Sequence, residues 1–322
     1  MTMDSSSVAG RSGGDEDATS RLAIGLCTYK RPTSLERLLK HIATTSAEAA
    51  LRPHVVIVDN DGDDPAVKAV VDAFAESSGL AVSYLVERKP GISAARNAVF
   101  EEASRLDIRL LAMIDDDEWP SSDWLPSLLA TWKAESAVVV GGPVRPVFPE
   151  EARSRLERYR RYWSVCRQEL NGKPFVYCTC NFLIDLGQVT HIERPLFEEK
   201  FGLSGGGDTV FFRRLFFAGL KMAWSKEALV YEEVPPSRAS IAWLRQRRFR
   251  VGNHAVGWEL VGGSKVKSLL KTAGLTARLL IYPLLGRDRG SPFMGWMLEF
   301  DKVRGRYNAH SGQVFMEYAR PK

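Results

Sequence analysis

Three adjacent carboxylates, Asp115, Asp116 and Asp117, close the segment Leu110-Leu-Ala-Met-Ile114. Such an apolar run has the length and composition of a buried strand, although periodicity alone does not exclude a helix segment. Like charges side by side repel one another. They persist in a turn only where water, backbone N–H groups or a cation compensates them. Carboxylates at the carboxyl end of a buried strand are what an α/β sheet offers to a hard cation such as Mg²⁺ or Mn²⁺. The plainer alternative is a solvated acidic turn. Two other stretches could do related chemistry. Gly91-Ile-Ser-Ala-Ala-Arg-Asn97 reads as a glycine turn opening a helix, whose first N–H groups can meet an anionic or polar ligand edge. Arg245, Arg247, Arg248 and Arg250 stand beside Trp243 and Phe249, and arginine forks suit phosphates as readily as they suit a solvated or membrane-facing basic surface.

The elements that must position these residues follow from patterning. Residues 22–27, 54–59, 82–86 and 110–114 read as strands. Helices are expected from Pro32, with Leu35, Leu38, Leu39 and Ile42 on one face, and over residues 66–77 and 93–104. Strand and helix alternate three times, which predicts a mostly parallel sheet with helices on both faces and a ligand site outside the carboxyl ends of the strands. Thr28, Asp59, Gly91 and Asp115 all fall at or just beyond such ends. The second half is less regular. A strand is expected over residues 137–140, a helix over 151–169, an extended stretch over 175–184, a helix over 211–217 after a glycine-rich loop, a short strand over 229–231 and a basic helix or turn over 241–252. The chain divides into a leader of residues 1–20, a first half of 21–120, a second half of 121–260 and a C-terminal extension of 261–322.

Composition restricts the classes. No apolar run approaches the roughly 20 residues that span a bilayer. The leader is rich in Ser, Gly and Asp, without the basic and apolar regions of a signal peptide, so disorder and a cytoplasmic location are expected. Cys178-Thr-Cys180 lacks the spacing of a zinc knuckle; buried thiols sharing one strand face are expected there. The net charge of +5 is unevenly placed: residues 261–322 carry eleven Lys/Arg against four Asp/Glu, a balance of +7 that leaves −2 for the remainder. That segment is either a solvated basic tail or the complement of an anionic membrane, phosphorylated lipid or nucleic acid.

The ordered set Cys27-Thr-Tyr-Lys-Arg-Pro32, Val58-Asp-Asn60, Gly91-Ile-Ser-Ala-Ala-Arg-Asn97, Ile114-Asp-Asp-Asp117, Thr179-Cys-Asn-Phe182 and Gly205-Gly-Gly-Asp-Thr209 resembles the motif order of family 2 glycosyltransferases with the GT-A fold, over residues 21–253. Phe211-Phe-Arg-Arg-Leu215, Val234-Pro-Pro-Ser-Arg238 and Trp243-Leu-Arg-Gln-Arg-Arg-Phe-Arg250 resemble bacterial exopolysaccharide enzymes of the succinoglycan type. The resemblance implies an inverting hexosyltransferase that takes a nucleotide-sugar donor, UDP-linked by expectation, to a glycan or lipid-linked acceptor, with no nucleic-acid partner. It places Thr28, Tyr29 and Asp59 at the nucleobase, Arg96 near the donor, Asp115 near the ribose and sugar, Asp116 among the donor-binding residues, and Arg247 and Arg248 at the diphosphate. Asp117 is the implied ligand of Mg²⁺ or Mn²⁺, with Asp116 its competitor; Glu232 and Glu233 stand where a second metal contact is implied. Asp208 is the implied general base, its other reading being a helix cap. Gly207 departs from the family, which carries glutamate there.

Two rivals remain open at this level. A nucleotidyltransferase also sets acids around a metal, but it would normally show a glycine-rich phosphate loop after the first strand, and residues 27–32 contain no glycine. A degenerate, non-catalytic nucleotide-binding domain would fit Gly207. Around residues 273–285 and 292–298, apolar stretches flanked by Lys265, Lys267, Lys271, Arg287 and Arg289 suit either a helix closing the domain or peripheral attachment to the inner face of the cytoplasmic membrane.

Overall fold

The computed structural model describes residues 18–62, 64–201, 205–260, 263–281, 292–313 and 315. Four strands, β1 (Leu22–Thr28), β2 (His54–Asp59), β3 (Val82–Val86) and β4 (Leu110–Ile114), alternate with α1 (Pro32–Glu48), α2 (Pro65–Ser78) and α3 (Ile92–Arg105). There follow β5 (Glu118–Pro120), α4 (Trp124–Glu135), β6 (Val139–Gly141), β7 (Val144–Val147) and α5 (Glu150–Leu156). The remainder comprises β8 (Gln168–Leu170), β9 (Lys173–Phe175), β10 (Asn181–Asp185), α6 (Gly207–Phe217), β11 (Met222–Trp224), β12 (Val230–Glu233), α7 (Ile241–Leu260), α8 (Lys265–Ile281) and α9 (Pro292–His310). Among the described residues the main sheet has the order β11-β6-β10-β4-β1-β2-β3, and β5-β12-β7 form a smaller sheet beside it. β4, β1, β2 and β3 are mutually parallel; β10 runs antiparallel to both β4 and β6.

The period of two in a strand divides the core. Ile24, Leu26, Val55, Ile57, Leu110, Ala112 and Ile114 face α1, α2 and α4 through Leu35, Leu38, Leu39, Ile42, Val71, Trp124 and Leu128. Ala23, Val56, Val58, Leu111 and Met113 face α3 and α6 through Val99, Phe100, Phe211, Phe212 and Leu215. Burial on both faces explains why these strands read as continuous apolar runs.

Through β4 the first half matches the expectation element by element, with ends differing by at most one residue, whereas β5 was not expected. The leader is shorter than expected at its end: residues 18–20 are helical and Ala18 is buried, while residues 1–17 lie outside the described set. The helix expected over 151–169 is corrected. It stops as α5 at Leu156, continues as a 3₁₀ segment, Glu157–Tyr162, and gives way to β8. The cause is local packing. Trp163 is buried between Phe148 and Trp243, at ring separations of 5.1 and 5.9 Å, and Val165 bridges to Val144, so the chain leaves the helix axis. Cys178 and Cys180 are corrected too: both are half-buried free thiols in irregular chain between β9 and β10, not members of a strand. The basic stretch expected to end near Gly252 continues as α7 to Leu260.

The C-terminal helices pack on one another. A Cβ at Gly252 would fall 1.9 Å from the Lys302 carbonyl oxygen, and one at Gly305 would fall 1.9 Å from that of Phe249. α7 and α9 therefore touch backbone to backbone, which only glycine permits. Arg245 of α7 reaches the fully buried Asp301 of α9 at 2.8 Å. Arg306 of α9, 1% exposed, donates to both oxygens of Glu259 at 2.9 and 2.6 Å.

Candidate functional site

The carboxyl ends of β1, β2 and β4 lie side by side. Thr28 pairs with Asp59 in register, and Gly25 with Met113, which sets Cys27 next to Asp115 just past the end of β4. Asp116 turns inward and is almost wholly buried. One of its oxygens accepts the Thr28 hydroxyl at 2.8 Å, and the other accepts Arg31 Nη1 at 2.9 Å. The same Arg31 nitrogen donates to Asp117 at 2.9 Å. A single guanidinium thus compensates two of the three like charges, as the turn requires. Arg31 stands in the Cys27–Pro32 motif, yet its partners were not readable because they lie 85 and 86 residues away.

Asp115 remains toward the cleft, its side chain 40% exposed, with Arg96 Nη2 at 3.8 Å. The protein around it strips water from the carboxylate and pushes its pKa up to about 6; Arg96 works against this, and Asp117, Asp116 and Asp208 add to it. Glu118, which sequence patterning did not single out, lies beneath. It is buried and accepts the Asp115 backbone N–H at 3.0 Å. Glu118 and Glu232 are register partners across β5 and β12, so their side chains share a face. Burial raises Glu118 well above the usual carboxylate range, with Asp115 and Glu232 contributing. Burial likewise raises Glu232 to about 7, opposed by Arg247. Glu233 is held apart by Arg37, whose guanidinium also lies 4.5 Å from the centre of the Trp119 ring.

Asp208 enters in the first turn of α6 and is close enough to perturb both Asp115 and His254. Its Oδ1 accepts the Thr209 N–H at 2.8 Å, but the N-cap position is Gly206, so Asp208 is not the cap that its alternative reading expected. The glycines before it have steric causes. Gly206 has φ +86°, and a Cβ there would meet Trp258 Nε1 at 2.4 Å. A Cβ at Gly207 would lie 3.1 Å from that of Phe201 and 3.4 Å from the Ser93 hydroxyl. A side chain at 207 would therefore need Phe201 to give way by a few tenths of an ångström.

Not every expected residue faces this cleft. Asp59 is fully buried, its oxygens taken by the Asp61 N–H at 3.0 Å and the Tyr84 hydroxyl at 2.9 Å. Tyr29, 38% exposed, lies beside it at the rim with the Lys30 ammonium 5.4 Å from its ring centre. Arg248 turns away from the acids, pairs with Glu299 and lies over Tyr162. Arg247 faces Glu232 and sits 5.4 Å from the Trp243 ring centre. The glycine turn is partly self-satisfied: Asn60 accepts the Gly91 N–H at 2.9 Å and donates to the carbonyls of Glu87 and Lys89. In the Thr179–Phe182 motif, Asn181 is structural, joining Trp124, Pro143 and Ala228. Among the described residues no three His, Cys, Asp or Glu side chains converge as a ready-made metal cage.

Residues 23–187 match the Glycosyl transferase family 2. Over 234 residues, 73% of this chain and 74% of the relative, the sequence is 36% identical to the succinoglycan biosynthesis protein ExoM of Rhizobium meliloti (strain 1021). Among solved structures, the mannosyltransferase PcManGT from Pyrobaculum calidifontis, in complex with GDP-Man and Mn²⁺, is similar with a TM-score of 0.55 at 16% identity, covering 91% of this chain and 88% of that one. Residues 1–349 of S. aureus TarS, in complex with UDP, give 0.50 at 12% identity, covering 94% and 98%. These likenesses establish the fold as GT-A.

Proposed function

Because this chain belongs to glycosyl transferase family 2 and is a glycosyltransferase, we propose that it moves a hexose from a nucleoside diphosphate, UDP, to an acceptor hydroxyl with inversion at the anomeric carbon. The observation that carries the reading is the meeting of Asp115, Asp117 and Asp208 at one cleft, with Arg96 and Arg247 around them. Asp208 takes the proton of the acceptor hydroxyl, a weak nucleophile until it is deprotonated. The hydroxyl oxygen then bonds to the anomeric carbon as that carbon's bond to the diphosphate oxygen breaks. One attack with no second nucleophile inverts the centre. The Tyr29 ring is the stacking surface for the base, and Asp59, through Tyr84 and the Asp61 N–H, holds the loop beneath it. Arg96 orients Asp115 toward the sugar.

A divalent cation, Mg²⁺ or Mn²⁺, fits this donor set. Such ions are usually held by one or two carboxylates plus substrate phosphates rather than by an all-protein cage. Asp117 is the proposed ligand, since both Asp116 oxygens are engaged inside the fold. When bound, the ion neutralises charge on the departing diphosphate. The biological setting proposed is exopolysaccharide synthesis, with a lipid-linked acceptor at the inner face of the cytoplasmic membrane, supported by the likeness to the succinoglycan biosynthesis protein. Calorimetric titration with UDP-, GDP- and dTDP-sugars in Mn²⁺ tests the donor. Binding of a UDP-sugar at least about tenfold tighter than the others is expected, and no binding of any of them would refute the reading.

A further inference from the structure

The helix α8 is built inside out. Its protein-facing side is largely small and polar: Ser268 and Thr272 are buried, while Leu270 is 67% and Leu280 81% exposed. The orientation is locked. Arg306 donates to the Thr272 hydroxyl at 2.8 Å and to the Ser268 carbonyl at 3.1 Å, and Glu259 accepts the Ser268 hydroxyl at 2.7 Å. Further along, Thr276 meets the Tyr307 hydroxyl at 3.1 Å. Turning the leucines inward would break the bonds around the buried arginine.

At 3.6 residues per turn, Leu269, Leu280, Val266, Leu270 and Ile281 fall within an arc of about 120°. Lys267, Arg278 and Lys271 adjoin one edge of that arc, and Lys265 adjoins the other. On α9, the Trp296 indole donates to the Leu279 carbonyl at 3.0 Å, and Phe293 is 68% exposed. Arg287 and Arg289 lie outside the described residues. No described helix is long and apolar enough to cross a membrane.

We propose that this face of α8 lies in the interface of an anionic phospholipid bilayer, the leucines among the acyl chains and Lys267 and Arg278 at the headgroups, while Lys271 is held by Glu259 at 2.7 Å. The charge at the edges selects this occupant. A second protein copy would bring its own lysines against these, whereas an anionic headgroup layer complements them while the tails accept the leucines. The face deepens the membrane reading given above and rests on it, but vesicle binding is measured without donor or acceptor, so failed transfer cannot imitate failed docking.

The test is sedimentation of the full chain with phosphatidylglycerol-containing vesicles and with pure phosphatidylcholine vesicles. Expected are binding to the former at low salt, its loss at high salt, and weak binding to the latter. Leu270→Glu with Leu280→Glu should lower partitioning at least about tenfold at an unchanged melting temperature. Lys267→Glu with Arg278→Glu should lower it in a manner that salt conceals. Equal binding by the leucine variant, no binding by the wild type, or a wild-type dimer that the leucine variant dissociates in place of vesicle binding would each overturn the proposal.

Discussion

Arg31 does for Asp116 and Asp117 what a cation would do, with one nitrogen 2.9 Å from each carboxylate. Arg31→Ala leaves a buried carboxylate without its charged partner and should cost about 1–3 kcal/mol, discounted because the arginine is partly exposed. The urea midpoint measures it, and an unchanged midpoint would mean that water alone compensates the turn. Asp117 has a different position. Arg31 donates to its Oδ2, and the Asp117 side chain is 21% exposed, so Asp117→Ala should abolish the Mn²⁺-dependent part of UDP binding while leaving the fold intact. Titration of UDP with and without Mn²⁺ reads this directly; retained dependence would move the ligand role to another acid. The triad of acids was legible in the sequence because three carboxylates after an apolar run are costly wherever they occur. The residues that answer them were not. Arg31 and Glu118 gain their meaning from pairings across more than eighty residues or across two strands, which no local pattern carries, whereas Glu232 was implied by the resemblance.

Among the elements, strands buried on both faces and helices with one apolar stripe were readable, because each signal is local. The segment after Pro149 was not. Its arginines favour a helix, but Trp163 and Val165 are claimed by distant partners, and packing overrode propensity there. Glycines in α7 and α9 likewise look like helix-weakening residues until the crossing is seen. Gly305→Ala should therefore destabilise rather than stabilise the helix pair, by about 1–3 kcal/mol, because its methyl group would meet the Phe249 carbonyl. Chemical denaturation measures the change. A gain in stability, the usual result of replacing glycine in a helix, would show that α7 and α9 do not touch there.

Across the whole molecule the cleft and the C-terminal helices respond to pH in opposite senses. Asp115 rises from 3.8 to about 6 and Glu232 from 4.5 to about 7. The folded chain therefore binds more protons than the unfolded one in that range, and these groups make stability fall as pH rises from about 4 to 7. Glu259 is drawn down to about 2 by Arg306, Lys271 and Ser268 against its burial, so its contribution is present above its usual range and is lost as pH falls through about 4 to 2. In EDTA, melting temperatures should thus peak on the acid side of neutrality, and Asp115→Asn should flatten the fall above the peak. A fall of undiminished slope in that variant would assign the titration elsewhere. The most direct test of glycosyl transfer with Asp208 as base is the rate of UDP release from a UDP-sugar in Mn²⁺ with a lipid-linked acceptor, compared between the wild type and Asp208→Asn. Expected is acceptor-dependent release by the wild type, slowed by roughly two to four orders of magnitude in the variant at unchanged UDP affinity. Release at the same rate by both proteins would contradict it.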